Sequence, residues 1–222
     1  MVYKELKIIG FVIFILLIIQ LCDKFSNIKV CVCTCGKYEN RYAREFVEYY
    51  KKYGVDKIFI FDNNEVNGER FESVILDYIN EEFVTIINYR GLLKIQMKAF
   101  SQCYNENKDK YNWLIYYDMD EFIHLEGYNN IKTYLSKSKF DKCNIIYLNH
   151  IIHTDNNDIY YQNKSLVKRF PKIENFKNIN MSYQPRTILL DLYFSINEIT
   201  KEKLDCFENK TTNLSIFRKK IL

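Results

Sequence analysis

Two aspartates separated by one residue are the strongest indication of chemistry in this chain. Asp118 and Asp120 stand in the run WLIYYDMDEF, directly after an apolar stretch with the character of a buried strand. Hard divalent cations such as Mg²⁺ and Mn²⁺ bind oxygen, usually one or two carboxylates together with substrate phosphates. In an extended segment, alternation would direct both carboxylates to one side and Met119 to the other. The pattern therefore predicts a metal site, although a polar exit from a strand produces the same triplet.

A second polar pair ends an earlier apolar run. Asp62 and Asn63 close the stretch IFIFDNN. An acidic residue at that point can accept a hydrogen bond from a ribose hydroxyl or a base N–H, as in dinucleotide-binding sheets. A turn that favours Asp and Asn explains the same residues equally well. The chain contains no glycine-rich phosphate loop, so any diphosphate must be held by a metal and by basic side chains.

The elements that must position these residues alternate between strands and helices. Apolar, β-branched runs predict strands over residues 28–35, 56–64, 83–89, 113–123 and 143–151, and the fourth of these runs into an acidic turn. Apolar residues at helical spacing predict helices over residues 41–54 (with Asn40 as cap and Gly54 at the stop), 69–82, 94–110 and 127–138. This alternation predicts an α/β fold with a mainly parallel sheet and helices on both faces. Ligands of such sheets bind at the carboxyl ends of the strands, where the acidic residues fall.

Composition limits the classes of protein that the chain can represent. It has 222 residues, of which 48% are hydrophobic and 16% aromatic, so it can fold around an ordinary core. A formal net charge of +4 is too small to indicate a nucleic-acid-binding protein. Length and pattern favour one domain over residues 28–170. Residues 171–222 form a C-terminal segment whose pattern is too weak to predict its structure.

The N-terminal segment predicts attachment to a membrane. Residues 8–22 carry no charge, which favours one retained transmembrane helix, with residues 1–27 serving as anchor and short stem. A cleaved signal peptide remains the alternative. Orientation is left open: a terminal Lys219-Lys220 pair would function only in the cytosol, whereas N-glycosylation sequons suit a lumenal domain. The sequons begin at Asn163, Asn180, Asn209 and Asn213.

Seven cysteines are scattered along the chain without the paired spacing of zinc ligands. Cys31, Cys33 and Cys35 alternate, so in a strand they would share one face. The sequence favours buried free thiols that act as small apolar side chains.

Two blocks of sequence resemble a known family. The run CTCGKYENRYAREFVEYYKKYGVDKIFIFDNN is similar to the opening of GT-A-fold glycosyltransferases of family 92 and of neighbouring family 2-like groups. The segment from Gln96 to the Asp118-Met119-Asp120-Glu121 run is similar to the second block of the same family. A weaker third block runs from Tyr160 to Phe170. The resemblance covers residues 29–170, and its specificity lies in the order and spacing of the first two blocks.

The resemblance implies transfer of a sugar from a nucleotide diphosphate donor, a UDP-sugar, to a glycan or lipid acceptor. By this resemblance, Asp118 and Asp120 would hold Mn²⁺ or Mg²⁺ against the donor diphosphate, and Asp118 would thereby contact the donor. Asp62 would meet the base or ribose, Glu39 would lie close to the nucleotide, and Gln96 matches a family position without an evident role. The C-terminal segment departs from the family pattern, so no catalytic base is named.

For a eukaryotic chain the resemblance also implies a single-pass membrane protein of the endoplasmic reticulum or Golgi with its domain in the lumen. The alternative is a non-catalytic, membrane-anchored relative that binds a nucleotide or a partner without turnover.

Overall fold

The computed structural model describes residues 7, 9–16, 28–141, 143, 145–148, 165–166 and 186–189. Its strands are β1 (Val30–Gly36), β2 (Lys57–Asp62), β3 (Val84–Asn88), β4 (Trp113–Tyr116), β5 (Ile145–Leu148) and β6 (Arg186–Leu189). Its helices are α1 (Asn40–Lys52), α2 (Glu72–Asn80), α3 (Gln96–Asn107) and α4 (Ile131–Leu135), followed by a 3₁₀ turn at Ser138–Phe140.

One sheet of six strands, in the order β3-β2-β1-β4-β6-β5, organises the described residues. Strands β1 to β4 are parallel, and β6 runs antiparallel to both β4 and β5. The predicted mainly parallel α/β sheet is therefore confirmed. The chain builds outward from β1 to β3 on one side and then returns to place β4 on the other side. The gap between β1 and β4 is thus a topological switch point, where ligands of such sheets bind at the carboxyl ends.

Alternation along β1 explains why helices cover both faces of the sheet. Val30 and Val32 pack into a core that includes residues of α1, whereas Cys31 and Cys33 pack into a second core that includes residues of α3. Both cores are almost closed to solvent, as the apolar run of β1 requires. The predicted helices on both faces are confirmed.

Helix α1 begins and ends close to its predicted limits. Glu39, rather than the predicted Asn40, occupies the N-cap position, and no side chain caps the helix there. The Asn40 amide instead donates to the carbonyl of Arg70 at 2.8 Å. Gly54 follows the helix with a φ of +88°, a left-handed conformation that suits glycine, so the predicted stop is confirmed.

The prediction of free thiols is wrong for three of the described cysteines, Cys33, Cys103 and Cys143, which are disulfide-bonded. Cys33 of β1 and Cys103 of α3 form a disulfide with a Cα–Cα distance of 6.4 Å. Cys31 and Cys35 are free, and Cys31 is buried as predicted. The two bridged residues are 70 positions apart, so their pairing depends on how α3 packs against the sheet.

Little of the predicted anchor falls within the described residues. Residues 9–16 are helical with exposed apolar side chains, and the other residues of 8–22 lie outside the described part of the chain. Among the residues that the structure describes, no helix has the length and apolar character needed to cross a membrane. Of the C-terminal segment 171–222, only residues 186–189 are described, as β6, which was not predicted.

Candidate active site

Three carboxylates lie near one another at the switch point between β1 and β4. Glu39 follows β1 at the N-cap of α1, while Asp118 and Asp120 follow β4. Both aspartates lie within electrostatic range of the Glu39 carboxylate. Asp120 is 7% exposed, and Asp118 and Glu39 are half-buried. We call Glu39, Asp118 and Asp120 the acidic cluster.

The aspartates are presented by a turn and not by an extended segment. The backbone N–H of Glu121 donates to the carbonyl of Asp118 at 3.0 Å. In return, the Asp118 N–H donates to Glu121 Oε2 at 3.1 Å, and Glu121 is fully buried. Met119, between the aspartates, is fully buried in the core shared with α1. Met119 therefore does point away from the site, but a reciprocal turn and the packing of Met119 orient the carboxylates, and strand alternation does not.

Burial and like charge make Glu39 an unusual carboxyl group. Its pKa is raised to about 8, first by burial and then by the charges of Asp120 and Asp118, against a hydrogen bond from the backbone N–H of Lys37. Burial raises the pKa of the Cys35 thiol to about 12, and the charges of Asp118 and Glu39 add to the rise. Glu39 and Cys35 on the β1 side thus lie within electrostatic range of carboxylates on the β4 side.

Gln96 contacts the acidic cluster directly. The sequence resemblance marks it as a family position without an evident role. Its Nε2 donates to Asp118 Oδ1 at 2.9 Å. Gln96 is the first residue of α3, so this helix brings a neutral donor to the carboxylate. The hydrogen bond fixes one oxygen of Asp118 and thereby the orientation of the carboxylate.

Asp62 lies at the same edge of the sheet, but its oxygens are engaged by the protein. Oδ1 accepts from the backbone N–H and the side-chain amide of Asn64, at 2.9 and 2.8 Å. Oδ2 accepts from Arg90 Nη1 at 2.5 Å. Asp62 is 2% exposed, so a contact between its carboxylate and a base or ribose, as the sequence predicts, would have to form beside these bonds. We call Asp62, Asn64 and Arg90 the Asp62 brace.

The brace connects three loops at the carboxyl edge of the sheet. Arg90, just after β3, also donates to the carbonyls of Glu65, Gly68 and Glu69, at 2.7 to 3.0 Å. Asn64 Oδ1 accepts from the backbone N–H of Tyr38 at 2.8 Å, which holds the loop after β1. Tyr38 has a φ of +60°, an uncommon conformation for a non-glycine residue that this bond helps to hold.

Sequence reasoning missed Arg90 and Asn64. The only signal for Asn64 was its place directly after Asp62-Asn63, and a lone arginine after a strand carries no signal of its own. Both residues act through the loops that fold around them, which no local pattern shows.

The donor atoms of the acidic cluster are hard oxygens, which suit Mg²⁺ or Mn²⁺. Within the described part of the chain, no three His, Cys, Asp or Glu side chains are grouped closely enough to hold a metal ion by themselves. Sites for these cations commonly use one or two carboxylates and complete the coordination with water and substrate phosphates. The residues fit that kind of site.

Sequence comparisons with known proteins agree on one family. Residues 26–208 match the sequence profile of glycosyltransferase family 92. A family 92 protein of Ricinus communis is 31% identical over 97 residues, which cover 44% of this chain and 17% of that protein. One of Arabidopsis thaliana is 32% identical over 104 residues, covering 46% and 18%. The matched segment thus spans less than a fifth of the length of these relatives.

Two bacterial proteins are among the solved structures that match this chain. The crystal structure of residues 1–349 of TarS from S. aureus matches with a TM-score of 0.37 and 11% identity, covering 64% of this chain and 40% of that chain. The glycosyltransferase GlyE of Streptococcus pneumoniae matches with a TM-score of 0.35 and 13% identity, covering 73% and 33%. The family profile spans more than four fifths of this sequence, and the chain therefore belongs to glycosyltransferase family 92.

Proposed function

We propose that this chain is a metal-dependent glycosyltransferase with a GT-A-type nucleotide-sugar-binding domain over residues 28–170. The observation that carries the proposal is the meeting of Glu39, Asp118 and Asp120 at the switch point of a parallel sheet. Membership of family 92 supports the same reaction class. The donor we propose is a UDP-sugar, and the acceptor is a glycan or a lipid.

The chemistry asks the site to stabilise negative charge on a departing nucleoside diphosphate. Asp118 and Asp120 would hold Mn²⁺ or Mg²⁺, and the bound cation would neutralise charge on the leaving group. Gln96 keeps the Asp118 carboxylate in one orientation. With a pKa of about 8, Glu39 holds a proton near neutral pH, so the cation-free site carries less negative charge than three ionised carboxylates would.

The proposed setting is the lumen of the endoplasmic reticulum or Golgi, with residues 8–22 as a single-pass anchor. The Cys33–Cys103 disulfide supports an oxidising compartment, because disulfides are rare in cytosolic proteins. Removal of N-glycans from the expressed protein tests the orientation. A shift in electrophoretic mobility is expected, and an unshifted band would contradict a lumenal domain.

Donor binding by the full-length chain tests the proposed reaction. We expect UDP to bind in the presence of Mn²⁺ and to bind at least ~100-fold more weakly after chelation or in Asp118→Asn. Asp109→Asn, which changes an exposed aspartate after α3, is the matched control and should bind normally. Slow hydrolysis of UDP-sugars with Mn²⁺ should accompany binding. Binding of UDP without turnover of any UDP-sugar would favour the non-catalytic relative, and no binding at all would overturn the proposal.

A further inference from the structure

The Cys33–Cys103 disulfide and the Gln96–Asp118 hydrogen bond lie at two levels of the same helix–sheet contact. We propose that the disulfide is a positioning element of the acidic cluster: it fixes the height of α3 against the sheet, so that Gln96 reaches Asp118. The inference rests on the proposed function for its metal, but its geometry is independent of any ligand.

The strand side of this contact has a defined register. Cys33 of β1 is paired with Tyr116 of β4. Asp118 lies two residues beyond Tyr116, so its Cα is no more than roughly 7 Å further toward the carboxyl edge. Along the strand direction, Cys33 therefore lies at most about two residues before the Asp118 carboxylate that Gln96 contacts.

The helix side has a matching spacing. Gln96 and Cys103 are seven residues apart, close to two helical turns, so both lie on one face of α3 and about 10 Å apart along its axis. Ile95 and Ala99 are buried near this face beside Cys103. Because α3 links the parallel strands β3 and β4, it runs opposite to them, and its first residue is at the carboxyl edge with Asp118.

The disulfide is well placed to hold this alignment. A slip by one helical turn would move Gln96 by about 5.4 Å, far beyond hydrogen-bond range of Asp118. A covalent bond between Cys33 and Cys103 excludes that slip. Gln96 is thus a positioning residue, and the disulfide acts through it.

A double-mutant cycle measures this connection. Its parents are Gln96→Met, which removes the donor at similar size, and a disulfide-free variant, Cys33→Ala with Cys103→Val, which retains much of the sulfur volume. Mn²⁺ affinity is read from the electron paramagnetic resonance signal of the free ion. We expect each parent to weaken Mn²⁺ binding by about 10- to 100-fold, the range for partners that orient metal ligands. The combined variant should bind Mn²⁺ no more weakly than the weaker-binding of the two parents, because both parents lose the same interaction.

The control and the ligand-free readout separate this inference from the proposed function. Gln102→Ala changes another glutamine of α3, which accepts from Tyr89 and donates to Glu106, and it should leave Mn²⁺ affinity unchanged. Amide hydrogen exchange over residues 113–122 should accelerate in both parents and not in Gln102→Ala. If wild-type protein binds no Mn²⁺, the proposed function fails and the exchange data alone decide the inference.

Additive losses of affinity, or unchanged Mn²⁺ affinity and unchanged exchange in the folded disulfide-free variant, would overturn the inference. Circular dichroism verifies the fold of each variant. If the disulfide-free variant does not fold, wild-type protein reduced under native conditions takes its place in both measurements.

Discussion

The Arg90 guanidinium and the Asp62 carboxylate form an ion pair of 2.5 Å in which the two side chains are only 8% and 2% exposed. Because both side chains are so deeply buried, we expect the ion pair to stabilise the ligand-binding edge of the sheet rather than to contact solvent. Its other bonds reach three loop carbonyls and Asn64, so the pair ties the loop after β2 to the loop after β3. The ion pair therefore stabilises the edge of the sheet that presents the acidic cluster, on the side of β1 where β2 and β3 lie.

Removal of Arg90 should be among the most destabilising single changes in the domain. Arg90→Met leaves Asp62 buried beside fewer donors, and we expect a loss of about 3–5 kcal/mol in the free energy of unfolding. Arg70→Met, at an exposed arginine of the same loop region, should cost less than about 0.5 kcal/mol. Urea denaturation measures both. Adding Asp62→Asn to Arg90→Met should recover part of the loss, and failure to recover any would show that the carboxylate is not left unpaired.

We expect Asp120 to lower the stability of the domain while it contributes to metal and donor binding. It is buried and is the largest electrostatic cause of the raised Glu39 pKa. Asp120→Asn removes a like charge, so we expect unchanged or higher stability together with a loss of Mn²⁺-dependent UDP affinity of at least ~100-fold. Thermal melting and titration calorimetry on the same preparation measure the two effects. Equal UDP affinity with and without Mn²⁺ in both wild type and variant would contradict a metal role.

The parts of this molecule that were predictable from sequence are those set by local periodicity. β1, β2 and β3 are apolar runs of β-branched residues, and α1 and α3 present apolar residues at helical spacing, so their order predicts the parallel sheet. An acidic turn after β4 was predictable, but its geometry was not, because it depends on the Glu121 side chain accepting from the Asp118 N–H.

Long-range partners were equally hidden. Asp62 finds Arg90 28 residues away, and Cys33 finds Cys103 70 residues away. Each pairing exists only after the helices have packed, and the residue types alone are compatible with many partners. Gln96 shows the intermediate case: sequence resemblance marks the position, and only the packing of α3 shows its contact with Asp118.

Gly36 should be intolerant of even one added methyl group. A Cβ at this position would lie 2.5 Å from Phe71 Cζ and 3.0 Å from Met119 Cε, and both of those side chains are fully buried. We expect Gly36→Ala to cost about 1–3 kcal/mol through overpacking. Because Met119 lies between the aspartates, Mn²⁺ affinity should fall as well. Gly127→Ala, where nothing lies within 4 Å of the new Cβ, provides a contrast in space, with its own cost from a φ of +77°. Normal Mn²⁺ affinity in Gly36→Ala would show that the packing of Met119 does not determine the positions of the carboxylates.

Cys35 can report on the acidic cluster without any ligand. The charges of Asp118 and Glu39 contribute to the rise of its pKa to about 12, which leaves almost no thiolate at pH 8. Asp118→Asn removes one of these charges, so the thiolate fraction and the rate of alkylation by iodoacetamide should rise several-fold. Peptide mass spectrometry measures the rate at Cys35 itself, and Asp141→Asn at an exposed site is the control. An unchanged rate in both Asp118→Asn and Glu39→Gln would place the carboxylates too far from β1 to form one site.

Glu39 should make the metal-free domain less stable as the pH rises. Its pKa in the folded protein is about 8 and its ordinary value is near 4.5, so between these values the folded state retains a proton that the unfolded state has lost. The unfolding free energy contributed by this group is therefore fully present below pH 4.5 and declines as the pH approaches 8. We expect a decline of about 1–3 kcal/mol after allowing for solvent screening. Glu39→Gln should flatten the dependence, whereas Glu126→Gln at an exposed site should retain it. Denaturation curves at pH 5, 6.5 and 8 in the presence of a chelator measure it, and parallel curves for wild type and Glu39→Gln would show that Glu39 ionises normally and lies outside the field of the aspartates.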